Sequence, residues 1–389
     1  MKFLLICPQN PYYNGSGAHQ RSLLLLKSII ELGNQVDVIF IDKRYKNEDK
    51  FLLEKSNLLV SFDTKKNKFQ TILYYLRYLL GFGIKLKRRQ LIKIIKQVTQ
   101  NTNYDYIITR YIDTIQEGGL EQFNNLIVDI DDSPEEVYKV RYNTTSNLLL
   151  KYWYHIAQKN AVRYLKKHEK SFTLCFYPQQ KQCTHKNSFY LPNIPIFIPD
   201  IPIEQPKATA PYLLYVGVMS WMPNYLGMNY FIDNIWPTVK QQNPHIILKI
   251  AGKGLPLIYQ NKWKNDKQIE ILGFVENLSP VYQNASLVIA PIYQGGGTNI
   301  KVLEAMAYRK AIVLSPHATR GFEHLLEDNK NIMIGKDDND FARKIHFLLT
   351  DSNLKNTMQN EARILVEKNF SYTSFKNQIS QALEYLSKK

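Results

Sequence analysis

At 389 residues with 44% hydrophobic content, the chain is too long for one growing core and carries enough apolar material for two, so two domains are expected. Its 50 basic and 34 acidic residues give a net charge of +16, a field that attracts phosphorylated ligands, anionic lipid or nucleic acid without choosing among them. The cysteines Cys7, Cys175 and Cys183 are odd in number and fit no metal-ligand spacing, which excludes a disulfide framework and points to reduced thiols in a cytoplasm.

The apolar run Lys2–Cys7 predicts a first strand. It passes at once into the polar loop Pro8-Gln9-Asn10-Pro11, so it lacks the longer apolar core of a signal peptide, and no segment reads as a membrane span. A helix over residues 18–32, closed by Gly33, and a strand over 35–41 complete a βαβ unit whose turn holds Gly15, Ser16 and Gly17. Residues 71–102 then carry seven basic side chains (Arg77, Lys85, Lys87, Arg88, Arg89, Lys93 and Lys96) and no acidic one. On a helical wheel Ile84, Leu91, Ile95 and Val98 share one face while Lys85, Arg89, Lys93 and Lys96 fall largely opposite. Such a helix either lies on an anionic bilayer or packs on the core with a solvated basic face. Nucleic acid is not expected as a partner, since no recognised nucleic-acid motif is present.

Further strands are predicted at 106–109, 126–130, 171–176 and 188–191, with a long helix over 147–168; their alternation with helices predicts parallel pairing. Six prolines (Pro192, Pro195, Pro199, Pro202, Pro206 and Pro211) then mark a stiff linker. A second cycle follows. Strand Tyr212–Val216 runs into Gly217, a helix is predicted over 227–241, a strand over 246–251 runs into Gly252-Lys253-Gly254, and another over 269–272 into Gly273-Phe274-Val275. The last apolar run, 287–291, leads into Gly295, Gly296, Gly297, Thr298 and Asn299 and then a helix containing Lys301 and Glu304.

This glycine turn is the most informative feature of the chain. Glycines let backbone N–H groups approach a ligand, and a helix N-terminus favours an anion, so phosphate is the natural occupant. Lys301 adds a full positive charge in the first helical turn, and Glu304, one turn on, is an acceptor-only group suited to paired ribose hydroxyls. The alternative is a plain strand-turn-helix corner with a surface glutamate. The arrangement predicts two Rossmann-like, doubly wound α/β domains facing across a cleft: residues 1–195, a linker at 196–211, residues 212–370 with the glycine turn, and a C-terminal helix at 371–389 that packs back on the first domain.

In order along the second half stand Val216-Gly217, Trp221-Met222-Pro223-Asn224, Ala251-Gly252, Gly273-Phe274-Val275, the glycine turn and Glu304-Ala305-Met306-Ala307. Through these the chain resembles, over nearly its whole length, the retaining glycosyltransferases of family 4 with the two-domain GT-B architecture. The resemblance implies transfer of a sugar from a UDP- or GDP-linked donor, without cofactor or metal, in bacterial cell-envelope or exopolysaccharide synthesis. It implies that Glu304 holds the ribose, that Gly273, Phe274 and Val275 contact the base, and that Gly217 and residues 295–299 approach the diphosphate and sugar. Gly15, Ser16 and Gly17 resemble the family's first glycine loop, with Arg21 on the helix behind it.

The chain also departs from the pattern. Eight residues before Glu304, where many members carry a glutamate for the donor sugar, stands Gly296. Val218 and Pro223 replace an arginine and a lysine, leaving phosphate charge to Lys301 and then Lys253. Where many members use a histidine, the strand end Val128-Asp129-Ile130-Asp131-Asp132-Ser133 offers acids; Asp132 is the preferred catalytic candidate beside Lys301 and Glu304. Asp131 and Asp132 alternatively cap a helix beginning near Ser133-Pro134-Glu135. The acceptor is expected to be a glycan or a lipid-linked glycan, and the protein cytoplasmic, peripheral at the inner membrane face if the basic segment lies on lipid. A catalytically silent GT-B-like binding subunit and a nucleotide-sugar epimerase are the alternative readings.

Overall fold

The structure, a computed structural model, describes residues 1–62, 88–131, 134–295 except 201–210, and 297–388. Asp132, Gly296 and Lys85, all singled out from the sequence, lie outside the described residues. The chain divides into two compact units, Met1–Ile196 with Phe375–Lys389, and Phe197–Ser374.

Among the described residues, the first unit is built on a seven-stranded sheet: β1 (Lys2–Cys7), β2 (Gln35–Phe40), β3 (Asn57–Ser61), β4 (Tyr106–Arg110), β5 (Leu126–Asp129), β6 (Leu174–Tyr177) and β7 (Ser188–Tyr190). The order is β3-β2-β1-β4-β5-β6-β7 and the pairs are parallel, as the βα alternation predicts. β1 reads as a continuous apolar run because both faces of such a sheet are covered. The second unit holds β8 (Tyr212–Val216), β9 (Ile247–Ala251), β10 (Ile269–Gly273), β11 (Leu287–Ala290), β12 (Ile312–Leu314) and β13 (Met333–Ile334), again parallel, in the order β10-β9-β8-β11-β12-β13. In each sheet the strand order reverses once, between β1 and β4 and between β8 and β11. At such a switch point the connecting loops diverge and leave a crevice at the carboxyl ends of the strands.

Several elements differ from the sequence expectation. The helix expected over 227–241 begins at Met222, widens to a π-type turn over Phe231–Ile235 and resumes as Trp236–Gln242. Pro237 has no N–H to donate back to the preceding turn, so regular α hydrogen bonding cannot run through it. Gly227 is interior to this helix: a Cβ there would stand 2.1 Å from the Pro291 carbonyl oxygen, so the glycine lets the helix lie against the backbone leaving β11. The strand expected over 171–176 starts at Leu174, because the Ser171 N–H still closes the preceding helix on the His168 carbonyl.

The basic segment is described from Arg88 onward. In the helix Arg89–Asn101, Leu91 and Ile95 are buried in the main core of the unit with Ile94 and Val98 beside them, while Arg89, Lys93 and Lys96 are exposed. The apolar face is thus occupied by the protein's own core. The C-terminal helix Tyr372–Ser387 lies on the first unit, with Lys376 bonded to Glu31 at 3.0 Å and the Tyr385 ring 5.2 Å from Phe189. The three cysteines are free thiols. No helix among the described residues is long and apolar enough to cross a membrane.

Candidate functional site

In the second unit, the strand ends at the switch point are drawn together by glycine. A Cβ on Gly252 would lie 1.7 Å from the Gly217 carbonyl oxygen, so the chain leaving β9 passes the end of β8 at a separation that admits no side chain. Above Gly217 stands the Lys301 ammonium, 3.3 Å from where a Cβ would be. Its partners are neutral: the Asn224 amide oxygen at 2.7 Å and the Tyr215 hydroxyl at 3.3 Å, the Asn224 NH2 being held by the Val218 carbonyl. Among the described residues no carboxylate lies within ion-pair distance of it. Burial pushes the Lys301 pKa down to about 8, against the opposing influence of Glu304 one turn along the helix Ile300–Ala307.

Glu304 shows the mirror image. Burial raises its carboxyl above the usual range, although the Tyr282 hydroxyl donates to it at 3.4 Å and the Lys301 charge favours ionisation. Tyr282 is itself fixed by stacking on Tyr308 with ring centroids 4.5 Å apart, and Tyr308 is held by the Ser279 hydroxyl at 2.8 Å. A cation and a carboxylate are therefore held near the strand ends, each disfavoured in its charged form by desolvation. An anion beside Lys301 and hydroxyl donors beside Glu304 relieve both.

The turn between them is pinned from one side. Gly295 has φ of +137° and its carbonyl accepts from His317 Nε2 and Arg320 Nη1, each at 3.1 Å. A Cβ on Gly295 would meet the Pro223 ring at 3.7 Å, which sets the turn beside the helix that carries Asn224. The Asn299 amide donates to the Ala318 carbonyl at 3.3 Å and makes no side-chain cap; the Ile300 and Val302 N–H groups bond the Thr298 and Asn299 carbonyls at 3.2 and 2.9 Å, and the positive end of the helix still favours an anion. His317 and Arg320 follow β12, a three-residue strand with no periodic signal, and the sequence reading passed over them.

Lys253 stands apart from Lys301: it is exposed, its ammonium 6.0 Å from the centre of the Phe274 ring. Phe274 is 70% exposed after Gly273, whose φ of +67° turns the chain there, and Val275 beyond it is partly buried.

In the first unit Ser16 precedes the helix Gly17–Glu31, and its hydroxyl bonds His19 Nδ1 at 2.9 Å instead of capping the helix. His19 Nε2 in turn meets Asp42 at 2.9 Å, and Tyr13 stacks on Tyr45 at 3.8 Å. Beneath this loop lies a buried ionic network. Arg21 donates from Nε and Nη2 to both oxygens of Asp129, at 2.6 to 3.1 Å, and from Nη1 to Asn193. Arg110 donates to Asp129 at 2.8 Å, to Asp131 at 2.7 Å and to the Ala18 carbonyl at 2.6 Å. The network fastens the first turn of the helix to the ends of β4 and β5. Asp131 belongs to it as well, accepting from Arg110 and from the Asn193 amide, each at 2.7 Å. Beside it Tyr111 adopts φ of +65°, a conformation side chains rarely take, with its ring 4.8 Å from the Arg110 guanidinium.

Residues 210–351 match the protein family described as glycosyl transferases group 1. An uncharacterised 44.6 kDa protein in the cps region of Klebsiella pneumoniae is 23% identical, covering 88% of this chain and 92% of that protein. Among solved structures, sucrose-phosphate synthase from Thermosynechococcus elongatus superposes with a TM-score of 0.71 at 14% identity, covering 99% of this chain and 98% of that one. Anabaena HepE in complex with UDP-glucose gives 0.62 at 15% identity, covering 98% and 99%. The two parallel-sheet α/β units have the GT-B fold.

Proposed function

We propose that this chain is a glycosyltransferase that moves a sugar from a UDP- or GDP-linked donor to a glycan or lipid-linked acceptor in envelope or capsule-type polysaccharide synthesis, with retention of anomeric configuration. One observation carries the reading: among the described residues Lys301 and Glu304 are buried without an ion-pair partner, beside a glycine turn and a helix N-terminus that no side chain caps. A nucleoside diphosphate sugar supplies what both lack. Its ribose hydroxyls donate to Glu304 and its diphosphate meets Lys301 and the backbone N–H groups of the turn. Charge grows on the diphosphate as the glycosidic bond breaks, so donors already in place there act most strongly at the transition state. No enzyme nucleophile is required; the departing phosphate takes the acceptor proton on the same face. The relative in a capsule-synthesis region and the UDP-glucose complex of a structural neighbour support the substrate class.

On this reading the protein works in the cytoplasm, peripheral to the inner membrane face, where it reaches a lipid-linked acceptor. A panel of UDP-, GDP- and ADP-sugars read by thermal unfolding identifies the donor, since a ligand at 100 times its Kd adds about 2.7 kcal/mol of stability. One nucleotide series is expected to stabilise the protein; no response from any of them would contradict the proposal. Stabilisation without release of nucleoside diphosphate in the presence of acceptor would identify a silent binding subunit, and NMR of the product anomer tests retention. Glu304→Ala is expected to weaken donor binding by about 1.5–3 kcal/mol, or roughly 10- to 150-fold in Kd, with the unfolding transition kept. Titration calorimetry with the donor measures this, and an unchanged Kd would remove the ribose role.

A further inference from the structure

The structure contains a second basic and apolar element that the sequence reading did not single out. Two helices, Pro134–Thr144 and Leu148–His168, form an antiparallel hairpin whose interior is closed by Tyr138, Trp153, Ala157 and Ala161. Asn147 ends the connecting turn by accepting from the Leu149 and Leu150 N–H groups. This cap presents the first turn of the long helix outward: Leu148 is 79% exposed and Leu149 75%, with the rings of Tyr142 and Tyr152 also exposed nearby in the chain. Two adjacent leucines open to this degree are unusual on a surface made for water alone.

Along the chain on either side of them the charge is positive until Glu136 in the first turn of the first helix and Glu169 just past the second. From Val137 to His168 there are seven basic residues, Lys139, Arg141, Lys151, Lys159, Arg163, Lys166 and Lys167, and no aspartate or glutamate. All but Lys151 are exposed, and the Lys151 ammonium lies 5.9 Å from the centre of the Tyr142 ring. Apolar side chains at a tip, tyrosines beside them and a positive field behind are the features of an element that seats in the headgroup layer of an anionic bilayer. The helix Arg89–Asn101 differs, because its apolar face is already spent on the core.

We propose that the hairpin tip is the membrane-docking surface of this protein: Leu148 and Leu149 enter the interface of an anionic bilayer, the tyrosines lie at headgroup level, and Lys139, Arg141 and Lys151 meet lipid phosphates. This rests on the membrane part of the proposed function and assigns its surface; it does not depend on which sugar is transferred.

Cosedimentation of the full chain with phosphatidylglycerol-containing and purely phosphatidylcholine vesicles tests it, with three variants. Leu148→Ser with Leu149→Ser, both at exposed positions, is expected to lower partitioning onto anionic vesicles at least tenfold. Lys139→Gln, Arg141→Gln and Lys151→Gln together are expected to lower it about a hundredfold, at about fivefold per charge, with a residual binding that no longer responds to salt. Arg89→Gln, Lys93→Gln and Lys96→Gln together serve as the comparison and are expected to change binding less than threefold. If the wild type binds no anionic vesicle at low salt, the membrane reading itself fails. If it binds, and the Arg89 set abolishes binding while the leucine pair does not, membrane association stands and the hairpin assignment is overturned. Loss of a concentration-dependent dimer on leucine replacement, with vesicle binding unchanged, would likewise overturn it by making the tip a contact between two copies; tighter binding to an oligonucleotide than to vesicles would overturn it in favour of nucleic acid.

Discussion

Replacing Lys301 by methionine is expected to lower kcat for the proposed sugar transfer by roughly 10²- to 10³-fold, about 2.7–4 kcal/mol, while donor affinity falls much less. The reason is where its charge is needed. The ammonium is held by an amide oxygen and a phenol, so on the proposed function it meets negative charge that arrives with the donor and grows as the diphosphate departs. A loss confined to KM would contradict this. Because its pKa is about 8, the protonated form is present below that pH and lost above it, so kcat/KM falls on the alkaline side near pH 8; Lys301→Arg, which stays charged, moves that limb to higher pH. The same shift bears on stability with a definite sign. Below pH 8 folded and unfolded chains are both protonated and burial of the charge costs stability in full; between about 8 and 10.5 the unfolded chain holds more proton, so this cost is relieved as pH rises. The methionine variant removes this pH-dependent part of the stability, so the difference between wild type and variant is expected to change between pH 8 and 10.5 in urea titrations.

The second large effect belongs to the first unit. Asp129→Ala is expected to lower the unfolding free energy by about 3–5 kcal/mol, because it strips two buried guanidinium groups of their shared carboxylate. Burial alone would raise the Asp129 pKa, but Arg21 and then Arg110 outweigh it and hold the carboxyl below its ordinary value. Its folded pKa is depressed, so its contribution is complete above the unfolded value of about 3.9 and is lost as pH falls through the lower folded one. Urea titrations at pH 7 and in steps below pH 4 measure both parts. The gap between wild type and Asp129→Ala closes only in the acid series; a variant as stable as wild type at pH 7 would show that the network does not hold the glycine loop.

The parts of this molecule that were legible in the sequence are those where a local pattern carries the physics. Buried parallel strands are continuous apolar runs, so β1 and β8 stand at the bounds their composition predicts, and the parallel order follows from the alternation with helices. The glycine turn and the Lys301–Glu304 spacing were legible for the same reason. β12 and β13 were not, since strands of three and two residues have no period to detect. Nor was the Arg21–Asp129–Arg110 network, whose members come from three separate elements. The π-type turn at Phe231–Ile235 depends on a proline that also suits a helix start, so the sequence is compatible with either. The basic helix and the hairpin have equal charge density; only packing distinguishes a face turned into the core from leucines left outside.

Turnover of a nucleoside diphosphate sugar at Lys301 and Glu304 is the core of the proposed function. Its most direct test is to incubate purified wild type, Lys301→Met and Glu304→Ala with each UDP-, GDP- and ADP-sugar and a glycan or lipid-linked acceptor extract, measuring nucleoside diphosphate released and glycoside formed. One donor is expected to yield the two products in equal amounts with wild type, at a rate at least a hundredfold lower with Lys301→Met. Release with no transferred sugar from any donor, or equal rates for wild type and both variants, would contradict the account.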